Sequence, residues 1–282
     1  MKILVTGSTG QLGSEIKNLE KFYPHYKFVF MDRTLMPLND INKVWEVLES
    51  EQPDYIINAG AYTAVDKAES EEELADMVNH QCVRVLGVWS EKNKAHLIHV
   101  STDYVFDGTS SLPLTEEAQT APINVYGNTK MKGEVALMTV HHDAIVIRTS
   151  WVYSIYGNNF VKTMCRLMQE RESINVVLDQ IGSPTYAADL ASTIMQIING
   201  NIWKGGIYHY SNEGEISWYD FTRKIKEIKG FECDVNPINS SDFPTSAKRP
   251  AYSLLDKSKI KKEYNINVSQ WDESLRIMLA KL

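Results

Sequence analysis

The feature that most constrains this chain is a glycine-rich turn held between two elements. A short apolar run, Ile3-Leu4-Val5, is followed by Thr6 and then by Gly7-Ser8-Thr9-Gly10-Gln11-Leu12-Gly13, a G-x-x-G-x-x-G spacing at the opening of a helical pattern. Glycine permits the tight turn, lets the backbone approach a pyrophosphate, and lets helix and strand pack closely, while the helix start offers unpaired N–H donors. A strand, a glycine turn and a helix in this order are the beginning of a βαβ unit that binds a dinucleotide. Gly7, Thr9, Gly10, Gln11, Leu12 and Gly13 are therefore candidate cofactor contacts.

The rest of the first half keeps the same rhythm. Strand-like runs at 3–5, 28–30, 55–57, 97–100 and 145–147 alternate with helical patterns at 11–22, 41–50, 71–92 and 124–141. This alternation predicts an α/β fold, a doubly wound parallel sheet of Rossmann type covered on both faces. After Ser150 the regularity fades among Gly157, Gly182, Pro184, Gly205 and Gly206. A nucleotide-binding domain over 1–150 and a smaller α/β substrate region over 151–282, with later strands returning to the first sheet, is the expected division.

Composition narrows the function. Lys plus Arg is 29 against 36 for Asp plus Glu, a net charge of −7 with the signs interspersed, which gives no footprint for nucleic acid or an anionic membrane. No apolar run approaches a membrane span, and the three apolar residues before Thr6 are too few for a signal-peptide core. Cys82, Cys165 and Cys233 lie far apart, which suits reduced thiols and a cytoplasmic location.

Two further clusters point to chemistry. Asp32 lies 19 residues past Gly13, where an acidic side chain meets an adenosine ribose, while Arg33 beside it suits a 2′-phosphate; together they predict use of both NADH and NADPH. Tyr126 and Lys130 stand four residues apart on one helix face, a phenol to protonate a carbonyl oxygen and a cation to stabilise the phenolate. Tyr23 and Lys27 repeat the spacing across Pro24, so the spacing alone proves little. Context separates the two copies: Ser101-Thr102-Asp103-Tyr104 ends the fourth strand and brings hydroxyls to the carboxyl edge of the sheet, where open α/β folds bind ligands.

With these residues the chain resembles the extended short-chain dehydrogenase/reductases, and within them the dTDP-4-dehydrorhamnose reductases. The resemblance runs through Val5-Thr6-Gly7, the stretch from Asn58 to Glu69, Ser101 to Gly108, Arg148 to Tyr153, Gly157 to Val161, Asp179-Gln180, Gly182 to Thr185 and Lys248-Arg249-Pro250. It implies a catalytic set in which Thr102 orients the substrate 4-keto oxygen, Tyr126 donates the proton, and Lys130 lowers the tyrosine pKa and bonds the nicotinamide ribose. It places Ala59, Gly60, Ala61 and Tyr62 along the cofactor, and Thr102, Asp103, Tyr104, Trp151, Asn159 and Arg249 at the substrate, with Arg249 on its diphosphate. Where the family has Asp-Ile or Asp-Leu beside the adenine this chain reads Pro37-Leu38, so Leu38 keeps the packing contact and a carboxylate contact is lost.

The implied reaction is reduction of the C4 ketone of dTDP-6-deoxy-L-lyxo-4-hexulose to dTDP-L-rhamnose by NADPH or NADH. Alternatives within the resemblance are a reductase giving the epimer dTDP-6-deoxy-L-talose and a regulatory subunit of methionine adenosyltransferase, a role against which the intact Thr102, Tyr126 and Lys130 set argues. A homodimer is a possible assembly. Glu15 matches a glutamate that some members use in a metal site at a dimer interface, a divalent metal with no partners assignable here; from its pattern alone Glu15 reads as a solvated helix residue. His96 and His99 point to opposite faces of one strand and do not share a metal. Ser217 to Phe221 reads as a capped helix start with aromatics for packing.

Overall fold

The computed structural model describes residues 1–200 and 202–282. Six parallel strands form the central sheet: β1 (Lys2–Thr6), β2 (Lys27–Met31), β3 (Tyr55–Asn58), β4 (His96–Thr102), β5 (Ile145–Thr149) and β6 (Gly206–His209). Their order across the sheet is β6-β5-β4-β3-β1-β2. Strand β1 has β2 on one side and β3 on the other, with Thr6 opposite Met31 and Asn58, so the order reverses at β1. A crevice therefore opens at the carboxyl ends of β1 and β3, the place where such sheets take ligands.

Ile3, Leu4 and Val5 are all fully buried because both sheet faces are covered. Successive side chains alternate, so Ile3 and Val5 enter one core with Ile16, Leu190 and Ile194, and Leu4 enters the other with Val44, Leu86 and Leu137. Helices α1 (Gln11–Leu19) and α2 (Ile41–Glu51) follow the apolar stripes read from the sequence. Asp40 caps α2 by accepting from Lys43 N–H at 3.0 Å.

The pattern at 71–92 is not one continuous helix. Glu72–Asp76 leads into a π-helical turn, Met77–Gln81, before α3 (Cys82–Asn93), and a short helical turn at Val65–Ala68 precedes them. The wider turn carries Asn79 inward, where its side chain bonds the N–H of Tyr62 at 2.9 Å, the carbonyl of Tyr62 at 3.1 Å and Thr129 Oγ1 at 3.2 Å. Helical spacing of apolar residues cannot register one extra residue in a turn. Helix α4 (Val125–Val140) is capped by Asn124, which accepts from Gly127 N–H at 2.7 Å. His141 stands at its far end, with Nδ1 2.8 Å from the Glu91 carboxylate.

Beyond residue 150 the chain divides its work. Helix α5 (Phe160–Glu170), the parallel pair Ser173–Val177 and Asp234–Ile238, and the helix Trp271–Leu279 surround a third core around Tyr153, Val161, Phe221 and Leu275. Helix α6 (Ala187–Asn199) and β6 return to the first sheet, burying Leu190, Ile194 and Ile198 against α1. Helix α7 (Trp218–Lys229) begins with the capping box Ser217/Asp220. Among the described residues no helix is long and apolar enough to cross a membrane.

Candidate functional site

The crevice at the reversal point is lined by backbone. Gly7 has φ +63°, and a Cβ added there would stand 2.6 Å from Gly60 Cα; one on Gly13 would stand 2.6 Å from Ser8 Cα. The turn, the Gly60 strand end and the start of α1 thus touch along a surface with no room for side chains, which is the cradle a pyrophosphate needs. Gly10 starts α1 with no capping side chain, and no acidic residue stands in the first turn, so the leading N–H groups stay available to an anion. Leu38 Cδ1 lies 2.6 Å from the position of a Gly60 Cβ, which sets that side chain directly on the cradle.

Not every residue expected here offers its side chain. Leu12 is buried in the core and leaves only its backbone to a ligand. Gln11 spends its amide on Val152 and Asn159, at 3.2 and 3.0 Å. Thr9 is exposed at the turn, while Ala59 and Ala61 lie half-buried beside Gly60 and Tyr62. Asp32 Oδ1 accepts from the N–H groups of Thr34 and Leu35 at 2.8 and 2.9 Å, building the turn after β2, and Arg33 beside it is exposed.

The end of β4 and the start of α4 bring the reactive groups together. Thr102 is buried; its hydroxyl donates to Asp103 Oδ1 at 3.1 Å and accepts from Tyr104 N–H at 3.2 Å. Burial pushes the Tyr126 phenol up to about 12, opposed by its hydrogen bond with Thr102. Tyr104 packs edge-on against Tyr126 with ring centres 5.6 Å apart. Lys130, one turn along α4, is 1% exposed, and burial pulls it down to about 8 against the attraction of Glu134. Its Nζ donates to the Val100 carbonyl at 2.7 Å and lies 3.2 Å from His99 Nε2. Asp103 is buried, with Oδ2 lacking a partner, and burial raises it to about 6. Tyr23 follows the 3₁₀ turn Glu20–Phe22 and Lys27 opens β2, so the other copy of the spacing lies on no common helix.

Beside this centre lies a cleft of about 590 Å³ with an apolar wall of Phe160, Met164, Trp218 and Phe243 and two cations, Lys248 and Arg249. Trp151 reaches it indirectly: it has φ +49° and stacks on Trp218 with ring centres 3.6 Å apart. Trp218, read from sequence as packing, is a wall of the cleft as well. Asn124 Nδ2 donates to the Lys248 carbonyl at 2.7 Å, so the residue that caps α4 also anchors the two cations.

Two readings are corrected, those of Glu15 and Asn159. Glu15 is not solvated: it is 4% exposed and accepts from Ser154 Oγ at 2.6 Å, because the segment after β5 folds over α1. Among the described residues no group of three or more His, Cys, Asp or Glu side chains is arranged to hold a metal ion. Asn159 does not face the substrate cleft with a free amide; it caps α5 through Lys162 N–H and donates to Gln11 Oε1 and the Ser154 carbonyl, tying the nucleotide turn to the second region. Arg249 is not free either, since Asp66 takes Nη2 at 2.7 Å and Nη1 at 3.3 Å, leaving the guanidinium partly exposed at the cleft. The site also draws on Asn79, Asp66, Lys248 and Trp218; Asn79 stands among other polar residues, Asp76, His80 and Gln81, so nothing in its local pattern marks it.

The model of the RmlD substrate binding domain family matches residues 1–282. The chain belongs to this family. A dTDP-4-dehydrorhamnose reductase of Aggregatibacter actinomycetemcomitans is 41% identical over 290 residues, covering 99% of this chain and 98% of the relative. Among solved structures, the dTDP-4-dehydrorhamnose reductase of Bacillus anthracis in complex with NADP superposes with a TM-score of 0.94 at 38% identity, covering 100% of this chain and 99% of that one. The Clostridium acetobutylicum enzyme of the same name gives 0.95 at 34% identity, with coverage of 100% and 99%. The architecture is shared over the whole length of the chain.

Proposed function

We propose that this protein reduces the C4 ketone of dTDP-6-deoxy-L-lyxo-4-hexulose to dTDP-L-rhamnose with NADPH or NADH. One observation carries the reading: Thr102, Tyr126 and Lys130 converge between a glycine-lined cradle and a cleft with an aromatic wall and paired cations. The cradle residues Gly7, Gly10, Gly13 and Gly60, with Leu38, Ala59, Ala61 and Tyr62, would hold the cofactor, and Asp32 and Arg33 stand at the strand end for its ribose. When bound, the reduced nicotinamide supplies the hydride.

The protein's own residues supply the rest. Tyr126 stays protonated at neutral pH and holds the proton that the ketone oxygen needs as its charge develops. Thr102 fixes the phenol from one side, and its own hydroxyl is held by Asp103. Lys130 brings positive charge within a turn of Tyr126, stabilising the phenolate left behind. In the cleft, Arg249 and Lys248 neutralise the substrate diphosphate, and the stacked Trp151 and Trp218 fix the floor on which the nucleotide and sugar lie. The division into residues 1–150 for the nucleotide and 151–282 mainly for substrate follows from this reading, as does a cytoplasmic location close to the nucleotide-sugar pool. A homodimer belongs to it by resemblance.

Tyr126→Phe tests the assignment. It removes a proton donor used in the transition state and little ground-state contact, so kcat should fall at least a hundredfold while NADPH affinity stays within a factor of two. The assay follows NADPH absorbance with enzymatically prepared dTDP-4-keto sugar, and NMR of the product reads the C4 configuration. A variant that keeps most of its kcat at neutral pH would remove Tyr126 from the mechanism.

A further inference from the structure

Behind Lys130 runs a buried chain of side chains that the reaction as described does not use. His99, fully buried in the middle of β4, faces Lys130 Nζ with Nε2 at 3.2 Å and the amide of Asn58 with Nδ1 at 2.9 Å. Asn58 in turn meets Thr6 Oγ1 at 2.6 Å, and Thr6 Oγ1 accepts from the N–H of Gly60 at 3.0 Å. The chain therefore spans β4, β3 and β1 and ends on the glycine that forms the floor of the nucleotide cradle.

We propose that His99 is a positioning residue that holds the Lys130 ammonium through Nε2, and that the His99–Asn58–Thr6 chain reverses its hydrogen-bond direction when Lys130 gains or loses its proton. The donor count requires this. An ammonium has only donors, so it needs the Nε2 lone pair; a neutral imidazole then carries its proton on Nδ1 and must give it to the Asn58 oxygen, whose NH₂ faces Thr6. A neutral Lys130 amine accepts from Nε2–H, Nδ1 accepts from the Asn58 NH₂, and the Thr6 hydroxyl donates to the Asn58 oxygen. The structure shows this second direction, with the Asn58 nitrogen on His99 and its oxygen on Thr6. Turning the Asn58 amide over interconverts the two without moving a heavy-atom position. Burial holds His99 well below its usual pKa, with the Lys130 charge adding to the effect, so the ring stays neutral and always offers one lone pair.

The other charged groups around Lys130 leave this role to His99. Glu134, on the same helix, attracts the ammonium but is ion-paired with Arg148 of β5 at 2.7 Å. Tyr126 is neutral until it gives up its proton, and Asp103 at the end of β4 lies on the Tyr126 and Thr102 side. Val100 supplies a fixed carbonyl, and His99 supplies the remaining protein side-chain contact at Nζ.

The inference rests on the reductase reading for its assay, and the variants separate the two. Glutamine in place of histidine sets an amide near the position of Nε2, whereas asparagine sets one near Nδ1 and keeps only the Asn58 contact. In the full-length enzyme, the pH profile of kcat is recorded for wild type, His99→Gln, His99→Asn and His99→Leu, with thermal unfolding as a check on folding. Loss of the Nε2 acceptor destabilises the buried ammonium, so the fall of kcat on the alkaline side should move down by about one pH unit in His99→Asn and His99→Leu. At pH 8 that is about a fivefold loss of kcat, approaching tenfold at pH 9, while His99→Gln stays within about twofold of wild type. If His99→Leu fails to fold, His99→Asn carries the test. Asn and Leu variants that fold and keep the wild-type profile overturn the inference. Absence of turnover in wild type, or an unchanged kcat in Lys130→Met, would instead overturn the reductase reading beneath it.

Discussion

Arg148→Met should cost about 3 to 4 kcal/mol at pH 7, and the figure can be worked from the site. Glu134 and Arg148 are each 3% exposed at the side chain, and the guanidinium reaches both carboxylate oxygens, Nε at 3.1 and 3.1 Å and Nη2 at 2.7 Å. Removing it leaves a buried carboxylate without its counter-charge, a loss of about 3 to 5 kcal/mol in comparable pairs. The carboxyl has one escape, to take a proton, which for a group of ordinary pKa costs about 3.7 kcal/mol at pH 7. That route caps the loss near 4 kcal/mol and gives it a signature: the penalty should shrink by about 2 kcal/mol on going to pH 5.5. Urea unfolding at the two pH values measures both numbers, and at roughly 2 to 4 °C per kcal/mol the melting temperature at pH 7 should fall by about 6 to 15 °C. Glu134→Gln combined with Arg148→Met removes both charges and should recover most of the loss. A single variant costing under about 1 kcal/mol, or a loss that does not change between pH 7 and 5.5, would refute the argument that the pair is fully desolvated.

Gly13→Ala puts a methyl group against Ser8 Cα and the Gly7 carbonyl, so NADPH affinity measured by fluorescence titration should drop tenfold or more, with a smaller loss of stability. Arg249→Ala should raise KM for the dTDP-sugar tenfold or more and leave NADPH affinity unchanged; because Asp66 loses its partner too, Arg249→Ala/Asp66→Ala should be no worse than the single variant. Burial first, and then the charge of Arg148, hold His209 down to about 3. Its folded pKa lies below the unfolded value of about 6.5, so its contribution is complete above pH 6.5 and is lost as pH falls toward 3. Stability measured by urea unfolding should therefore decline by up to about 1.4 kcal/mol per pH unit from this group across that window, and His209→Gln should flatten the slope.

The parts of this protein that depend on neighbours in sequence were legible before the fold. The alternation of strands and helices, the turn from Gly7 to Gly13, the capped start at Ser217, and the shared helix face of Tyr126 and Lys130 are local, set by propensity, periodicity and backbone geometry within a few residues. So was the distinction between Tyr126-Lys130 and Tyr23-Lys27, because Pro24 and the position of each pair relative to a strand could be read directly.

Burial and pairing could not be read this way, because they depend on residues that the chain brings together from far apart. Glu15 looks solvated on an isolated helix and becomes buried only when Ser154, 139 residues later, folds over it. Arg249 looks free until Asp66, 183 positions away, takes two of its nitrogens. Asn159 carries a family motif yet spends its amide on Gln11, and the extra residue in the turn at Met77–Gln81 is visible only through Asn79 clamping Tyr62 and Thr129. The same holds for the pKa of Lys130 and the direction of the chain behind it, since desolvation and donor-acceptor balance are properties of the closed interior. The sequence determined which groups could do the chemistry; the parallel register of β1, β3 and β4 decided which of them face one another, because only that register lines up Thr6, Asn58, His99 and Lys130 beneath the nucleotide cradle.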